Sequence, residues 1–193
     1  MPKVVPEYRE QAKNRILEHS FEVFSEKGYH KTTMNDIAKK VGVNKATLYL
    51  YFENKEELFM KMIEATQQMM YTEMTLFFTG INFTNDYIKF FDFYVKMNAG
   101  YEQFVAEIHA IATRDKEMKK ALRQSTKKTD ELIIHFLKEQ QKNGLIGKDV
   151  DVQFFTMSAI SLLEGLIIKM FYGMSKSEAK NIWKNSVAQW LEH

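Results

Sequence analysis

Apolar residues recur along most of this chain at intervals of three and four, which is the spacing of one face of an α-helix. The first such pattern covers residues 8–27 and is followed by Gly28, so it predicts a helix that ends there. Similar patterns cover residues 55–78, 84–98, 101–113, 116–143, 152–168 and 175–191. Alternating runs of β-branched residues bounded by turns are absent, so the sequence predicts an all-α protein.

Residues 33–52, TMNDIAKKVGVNKATLYLYF, predict two short helices joined by a tight turn. Thr33 and Asp36 have the spacing of a capping box, so a helix should begin directly after Thr33. Gly42 suits a helix end that needs positive φ, and Asn44 is a good N-cap for a second helix. This arrangement is the signature of a helix-turn-helix.

In the second of these helices, Leu48 and Phe52 lie four residues apart and are expected to pack inward. The residues left at its exposed end are a cation, a small residue, a hydroxyl and a phenol: Lys45, Ala46, Thr47 and Tyr49. Such side chains contact phosphates and base edges in DNA-binding proteins. Four lysines and one aspartate give residues 31–45 a local charge of +3, against +2 for the whole chain. Charge alone would equally suit a solvated surface.

The run from residue 28 to residue 58 reads G-Y-x-x-T-T and then I-A-K-K-V-G-V-N-K-A-T-L-Y-L-Y-F-x-N-K-E-E-L. It resembles the DNA-binding domain of the tetracycline-repressor (TetR) family of transcriptional regulators, including a tail, L-Y-x-Y-F-x-N-K-E-x-L, that generic helix-turn-helix proteins lack. The resemblance covers most of residues 8–64. It implies an N-terminal three-helix helix-turn-helix domain over residues 1–54 and a C-terminal helical bundle for effector binding and dimerisation over residues 55–193. About nine helices are expected, and residues 190–193 resemble the start of an affinity tag.

The same resemblance implies which residues contact double-stranded DNA, bound as a palindromic operator. Five positions of the motif correspond to phosphate contacts: Thr33, Lys45, Tyr49, Tyr51 and Lys55. Three correspond to contacts with base edges: Asn35, Ala46 and Thr47. Leu50 could either pack inside the domain or touch a thymine methyl group.

The last two helices suggest how the chain assembles. Residues 152–168 contain one charge, Glu164, and are apolar on every side, so this helix should be covered both by its own domain and by a partner. We therefore expect a homodimer through residues 152–191, in the four-helix arrangement that TetR-like proteins use. A core helix inside a monomer is the alternative.

Methionines and aromatic residues are concentrated in residues 62–104 and 154–174, where they could form the wall of an adaptable apolar pocket or a solid core. The resemblance favours a pocket for a small apolar or aromatic effector. The candidate effector-binding residues are Met70, Met74, Phe77, Phe91, Tyr94, Phe104, His109 and Glu164. His109 could instead be an ordinary surface or core histidine, and Glu164 a hydrogen-bonded interface acid.

Other chemistries find little support in the sequence. The chain has no cysteine, and neither HExxH nor GxSxG occurs, so we expect no enzyme activity, no metal site and no cofactor. There is no secretion signal, and no uninterrupted apolar run of membrane-spanning length, so a cytoplasmic protein without a membrane partner is expected. Residues 1–6, with Lys3, are expected to form a flexible arm.

These features predict a sequence-specific DNA-binding regulator, a repressor that a small apolar or aromatic effector releases from its operator. Two alternatives remain at this stage. One is a DNA-binding regulator controlled by a protein partner without a small ligand. The other is an enzyme or lipid carrier built on a helical bundle.

Overall fold

The computed structural model describes residues 6–78 and 82–191 of the 193-residue chain. Within these ranges the chain forms nine α-helices and no strand. The helices are α1 (Pro6–Lys27), α2 (Met34–Val41), α3 (Lys45–Tyr49), α4 (Lys55–Phe77), α5 (Phe83–Asn98), α6 (Glu102–Arg114), α7 (Lys116–Lys142), α8 (Val152–Phe171) and α9 (Lys176–Leu191). The expected all-α class is confirmed. Lys3 in the predicted arm and the tag-like Glu192 and His193 lie outside the described residues.

Contacts divide the described chain into two compact units. The first contains the residues up to Gln67 together with Gln103–Arg123, and the second contains Gln68–Glu102 and the residues from Gln124 onward. Helices α4 and α7 therefore each begin in the first unit and end in the second. The predicted functional boundary between residues 54 and 55 stays a prediction.

The first unit has an aromatic core that joins α1, α4 and α6. Phe24 of α1 and Phe59 of α4 are fully buried, with ring centroids 5.0 Å apart in an edge-to-face arrangement. Phe104 of α6 packs edge-on against Phe21 at 5.3 Å and against Phe59 at 6.2 Å. These contacts explain why α6 belongs to the same unit as the helix-turn-helix.

The second unit is built around Trp183 of α9, which is fully buried. Its indole Nε1–H donates to the backbone carbonyl of Tyr87 on α5 at 2.9 Å, and the two rings stack with centroids 5.6 Å apart. Phe155 of α8 meets the Tyr87 ring at 5.1 Å. At the surface, the carboxylate of Asp92 forms ion pairs with two lysines of α9, Lys176 and Lys180. Helices α5, α8 and α9 are thus held together by one aromatic cluster.

Helix α8 has two different faces. Phe155, Ala159 and Leu163 are buried in the core of the second unit, whereas Phe154 is 63% exposed and Met157 is 43% exposed. By length and composition alone, α8 could cross a membrane, although the sequence led us to expect no such segment. About a third of this helix is buried in the described chain. One such helix is weak evidence, because core helices of soluble proteins pass the same test.

Candidate nucleic-acid interface

The caps that the sequence predicts around α2 and α3 are present, and they fix the geometry of the helix-turn-helix. Thr33 Oγ1 accepts from the backbone N–H of Asp36 at 3.2 Å, and Asp36 Oδ2 accepts from the N–H of Thr33 at 2.9 Å, which completes the capping box. Gly42 ends α2 at φ 80°, and its N–H donates to the carbonyl of Ala38 at 3.0 Å. Asn44 Oδ1 accepts from the N–H of Thr47 at 2.8 Å and begins α3.

Inward-facing apolar side chains decide which residues α3 presents to solvent. Ile37 of α2 and Leu48 of α3 are fully buried, and so is Phe52 just after α3. Packing of these three residues turns the remaining positions of α3 outward. Because the caps already satisfy the helix ends, this five-residue helix can hold its outward side chains in fixed positions.

The predicted DNA contacts of α3 lie next to one another at the surface. Lys45 and Ala46 are exposed, Tyr49 is 46% exposed, and Thr47 and Tyr51 are half-buried. The ammonium group of Lys45 lies 5.7 Å from the Tyr49 ring centroid. This surface combines a cation, a hydroxyl and two phenols, a set that suits contact with a sugar–phosphate backbone.

Two hydroxyls in this region already have partners. Thr47 Oγ1 donates to Asn44 Oδ1 at 3.0 Å, and Thr33 Oγ1 donates to Asp36 Oδ2 at 2.6 Å. Both hydroxyl oxygens keep acceptor capacity, but their donor hydrogens are used in the caps. Asn35, which the family motif makes a candidate for base edges together with Ala46 and Thr47, is exposed on α2. The DNA contacts of these three residues stay predictions.

The structure settles the ambiguous position of Leu50. Its side chain is 72% exposed, and its backbone remains in the right-handed helical region while its N–H donates to the carbonyl of Thr47 at 3.2 Å. Leu50 therefore does not pack inside the domain. It continues the outward-facing surface of α3.

Lys55, at the start of α4, points into the protein. Its Nζ donates to the carbonyls of Tyr29 at 2.7 Å and Thr32 at 3.0 Å, and it lies 4.3 Å from the centroid of the Tyr29 ring. Burial lowers the pKa of Lys55, and the Glu107 carboxylate opposes that effect. Lys55 thus ties α4 to the turn between α1 and α2. Its predicted phosphate contact is untested, and the family motif gave no sign of these internal bonds.

Ion pairs consume part of the positive charge that the sequence places near α2. Lys27 pairs with Asp36 at 2.6 Å, and Lys40 pairs with Glu22 at 2.7 Å. The hydrogen bond from Lys27, together with those from Thr33, holds the pKa of Asp36 well below its usual range. Of the four lysines in residues 31–45, Lys40 is engaged in an ion pair, and the other three have no ion pair within the described residues.

Most of the predicted effector residues meet in the second unit, but two do not. Met74 and Phe91 are buried in its core, and Met70, Phe77 and Tyr94 pack against that core. Burial raises the pKa of Tyr94 to about 12, and the nearby Glu164 adds to the effect. Glu164 itself is exposed on α8 rather than buried.

The other two candidates, Phe104 and His109, belong to α6 in the first unit. Phe104 is buried between aromatic rings of α1 and α4, and His109 is exposed. The structure does not bring them together with the other six. Their helical spacing gave no signal that α6 would join the helix-turn-helix.

The second unit contains a cavity of about 320 Å³ between the end of α5, the start of α6 and the last turns of α8. It is lined by Val95, Asn98, Ala99, Glu102, Ile167, Met170 and Phe171. Its walls are largely apolar, with one carboxylate and one amide. The sequence had marked residues 62–104 and 154–174 as rich in methionine and aromatics, yet the individual lining residues were missed because they follow from how α5 and α8 meet.

A metal site has no basis in the described part of the chain. Among residues 6–78 and 82–191, no group of three His, Asp or Glu side chains could hold a metal ion. The capped helices and the exposed surface of α3 instead define a helix-turn-helix DNA-binding protein.

Comparisons with known proteins identify the family. Residues 16–62 match the family model described as "Bacterial regulatory proteins, tetR family". Over 52 residues the chain is 46% identical to IcaR of Staphylococcus epidermidis, the negative transcriptional regulator of the biofilm operon icaADBC; this match spans 27% of the chain and 28% of IcaR. Over 155 residues it is 24% identical to the HTH-type transcriptional regulator UidR of Escherichia coli K12, spanning 80% and 79% of the two chains. Residues 16–62 therefore form a DNA-binding domain of the TetR family of transcriptional regulators.

A solved structure extends the likeness over nearly the whole fold. The transcriptional regulator FadR from Bacillus subtilis, in complex with stearoyl-CoA, superposes with a TM-score of 0.67 at 21% identity. The match covers 92% of this chain and 96% of FadR. At that identity the likeness establishes the shared fold alone.

Proposed function

We propose that this chain is a transcriptional repressor that binds a palindromic operator as a homodimer and leaves it when a small apolar effector binds. The observation that carries the proposal is the capped helix-turn-helix of a TetR-family DNA-binding domain, with an exposed row of DNA-contacting residue types on α3. The name of IcaR as a negative regulator supports repression. A cytoplasmic location follows from this function.

In this proposal Lys45, Tyr49 and Tyr51 position the domain on phosphates, while Ala46 and Thr47 read base edges. The small side chain of Ala46 permits close approach to the major groove, and Thr47 retains an acceptor oxygen. Leu50, exposed beside them, belongs to the same surface.

Selection from a pool of random DNA duplexes tests the DNA-binding part. The proposal predicts enrichment of an inverted repeat with half-sites about one helical turn apart or slightly more. Thr47→Ala should relax the preference at one base pair of each half-site. Thr126→Ala, an exposed threonine on α7, is the matched control and should select the wild-type sequence. Recovery of no inverted repeat by the wild-type protein would rule out the proposal.

Homodimerisation through residues 152–191 is supported by the exposed apolar surface that this region carries in a single chain. Phe154 and Met157 on α8, Ile182 on α9 and Tyr172 after α8 are all exposed large hydrophobic residues. An apolar surface of this kind usually marks an interface. Pairing of α8 and α9 with their copies would cover it with four helices.

Substitutions at exposed positions test the interface without disturbing the core. Phe154→Glu and Met157→Glu should convert a dimer to a folded monomer in light scattering, with an unchanged circular dichroism spectrum. Leu132→Glu, at a similarly exposed apolar position on α7, is the matched control and should remain dimeric. Dimers of both α8 variants at micromolar concentration would place the interface elsewhere.

For the effector, we propose the cavity between α5, α6 and α8. Its volume of about 320 Å³ is at the lower end of the range for ligand pockets. Its apolar lining suits an acyl chain or an aromatic ring, and the Glu102 and Asn98 side chains could bind a hydrogen-bonding end group. The stearoyl-CoA in the FadR structure supports an acyl ligand. Helices α4 and α7, which begin in one unit and end in the other, offer a route for coupling to DNA binding.

Mass spectrometry of small molecules that copurify with the protein would identify the effector. Ala99→Trp should fill the cavity, leave operator binding intact and abolish release by that molecule. Lys96→Trp, on an exposed position of α5 that does not line the cavity, is the matched control and should respond normally. If Ala99→Trp releases operator at the wild-type ligand concentration, this cavity is not the effector site. A protein-controlled regulator would show neither a copurifying ligand nor any dependence on Ala99.

A further inference from the structure

The end of α6 and roughly the first two turns of α7 carry an exposed cluster of positive charge. Its members are Arg114 at the end of α6 and, on α7, Lys116, Lys119, Lys120 and Arg123, and all five are exposed. Two acids, Asp115 and Glu117, reduce the net charge of residues 114–123 to +3. The Asp115 carboxylate accepts from the backbone N–H of Met118 at 2.9 Å, so it is engaged at the start of the helix. We call these five cations the α7 basic surface.

Within the described part of the chain, no member of the α7 basic surface makes an ion pair. Elsewhere in the same unit, Lys27, Lys40 and Lys61 each have a carboxylate partner within 2.7 Å. Lys116 and Lys120 are four residues apart on one helix face, and so are Lys119 and Arg123, so these like charges repel one another. An anionic partner would relieve that repulsion.

Three of the six lysines between residues 27 and 55 are engaged within the protein. Lys27 and Lys40 are paired with acids, and the Lys55 ammonium is bonded to backbone carbonyls. The other three, Lys31, Lys39 and Lys45, make no ion pair within the described residues. Because affinity for DNA rests largely on cations that neutralise phosphates, a second basic surface in the same unit would add substantially to binding.

The α7 basic surface is fixed to the DNA-reading helices. Met118 and Leu122 bury the opposite face of α7 in the first unit, and α6 packs through Phe104 on the aromatic core of α1 and α4. The Glu107 carboxylate of α6 also accepts from the N–H of His30, in the turn that precedes α2, at 3.4 Å. The cations therefore keep a set position relative to α3.

We propose that the α7 basic surface binds phosphates of the DNA backbone outside the bases read by α3. This inference rests on the proposed operator binding. On α7 the surface extends over eight residues, or about 12 Å of helix, which is long enough to meet about two phosphates. Its chemistry recognises backbone charge and not sequence, so it should lengthen the bound segment of DNA without changing the operator consensus.

Duplex length and salt dependence test the proposal. The probes are a short duplex that contains only the selected inverted repeat and a long duplex extended by roughly one helical turn of arbitrary sequence on each side. The variant combines Lys119→Gln, Lys120→Gln and Arg123→Gln. A matched control combines Lys138→Gln, Lys148→Gln and Lys184→Gln, three exposed lysines of the second unit. Circular dichroism verifies the fold of each protein.

The wild-type protein should bind the long duplex roughly tenfold or more tightly than the short one. Its salt slope, which is the slope of log affinity against log salt concentration, should be steeper on the long duplex by about two units. The triple variant should bind the short duplex as the wild type does and lose both the gain in affinity and the extra slope. The control should behave as the wild type. Lys120→Gln alone should lose about one unit of slope on the long duplex.

Two results would overturn the proposal: a wild-type protein that gains nothing from the longer duplex, and a folded triple variant that keeps the gain. Failure of the wild-type protein to bind the short duplex at all would instead contradict the proposed operator binding, on which this inference depends. The two failures are therefore distinguishable.

Discussion

Replacing Lys55 by methionine tests whether this residue acts inside the protein or on DNA. Methionine keeps an unbranched apolar side chain of similar length but removes the ammonium group, so the carbonyls of Tyr29 and Thr32 lose their shared donor. The stacking of the cation on the Tyr29 ring is lost as well.

The size of the effect follows from these contacts. A hydrogen bond from a charged donor contributes about 1.5–3 kcal/mol, and a cation–π contact about 0.5–1 kcal/mol at an exposed site. Against this loss, the variant no longer has to desolvate the lysine ammonium group, whose pKa is lowered by burial. We therefore expect Lys55→Met to lower the free energy of unfolding by about 1–3 kcal/mol, as measured by urea denaturation.

The two roles of Lys55 predict opposite patterns when stability and DNA binding are measured on the same variant. If Lys55 acts inside the protein, Lys55→Met should lower stability and leave the salt slope of operator binding unchanged. If Lys55 contacts a phosphate, the variant should lower the slope by about 0.9 and leave stability unchanged. Lys61→Met, which breaks a surface pair with Glu64 on the same helix, is the control and should cost less than about 1 kcal/mol. A stable Lys55→Met variant with a reduced slope would refute the internal role.

Three further substitutions probe the frame around the site. Gly28→Ala should destabilise the protein by more than about 1 kcal/mol in thermal melts. Residue 28 has φ +80°, and a Cβ there would lie 2.5 Å from Glu107 Oε2. An unchanged melting temperature would contradict this prediction. Trp183→Phe should cost about 1–3 kcal/mol in urea because the buried Tyr87 carbonyl loses its donor, whereas the half-buried Trp190→Phe should cost less. Asp36→Asn concerns pH. Lys27 and Thr33 lower the folded pKa of Asp36, so its contribution is present above the unfolded pKa of about 3.9 and is lost as pH falls through the folded value. Melts from neutral to acid pH should show a flatter acid decline in the variant, and identical curves would show that Asp36 contributes nothing.

Local signals in the sequence were sufficient for the helix-turn-helix because its caps depend on residues close in the chain. Thr33 with Asp36, Gly42, and Asn44 each act within three or four residues, and the structure confirms all of them. The outward-facing surface of α3 follows from the same short-range geometry. Its individual contacts with DNA remain predictions.

Features that depend on distant residues could not be predicted in this way. Lys55 bonds to carbonyls 23 and 26 residues earlier in the chain, and no local pattern distinguishes such a lysine from one that faces phosphate. Phe104 has the helical spacing of a pocket residue, yet it packs on Phe21 and Phe59. Tertiary packing, and not helical periodicity, decides each of these cases.

Native mass spectrometry of the protein on its selected duplex tests the central claim most directly. A repressor that reads a palindrome through paired α3 helices should give a complex with an even number of chains per duplex, and a duplex with one half-site scrambled should lose most of the binding. A single chain on the intact duplex, bound equally well when one half-site is scrambled, would contradict the account.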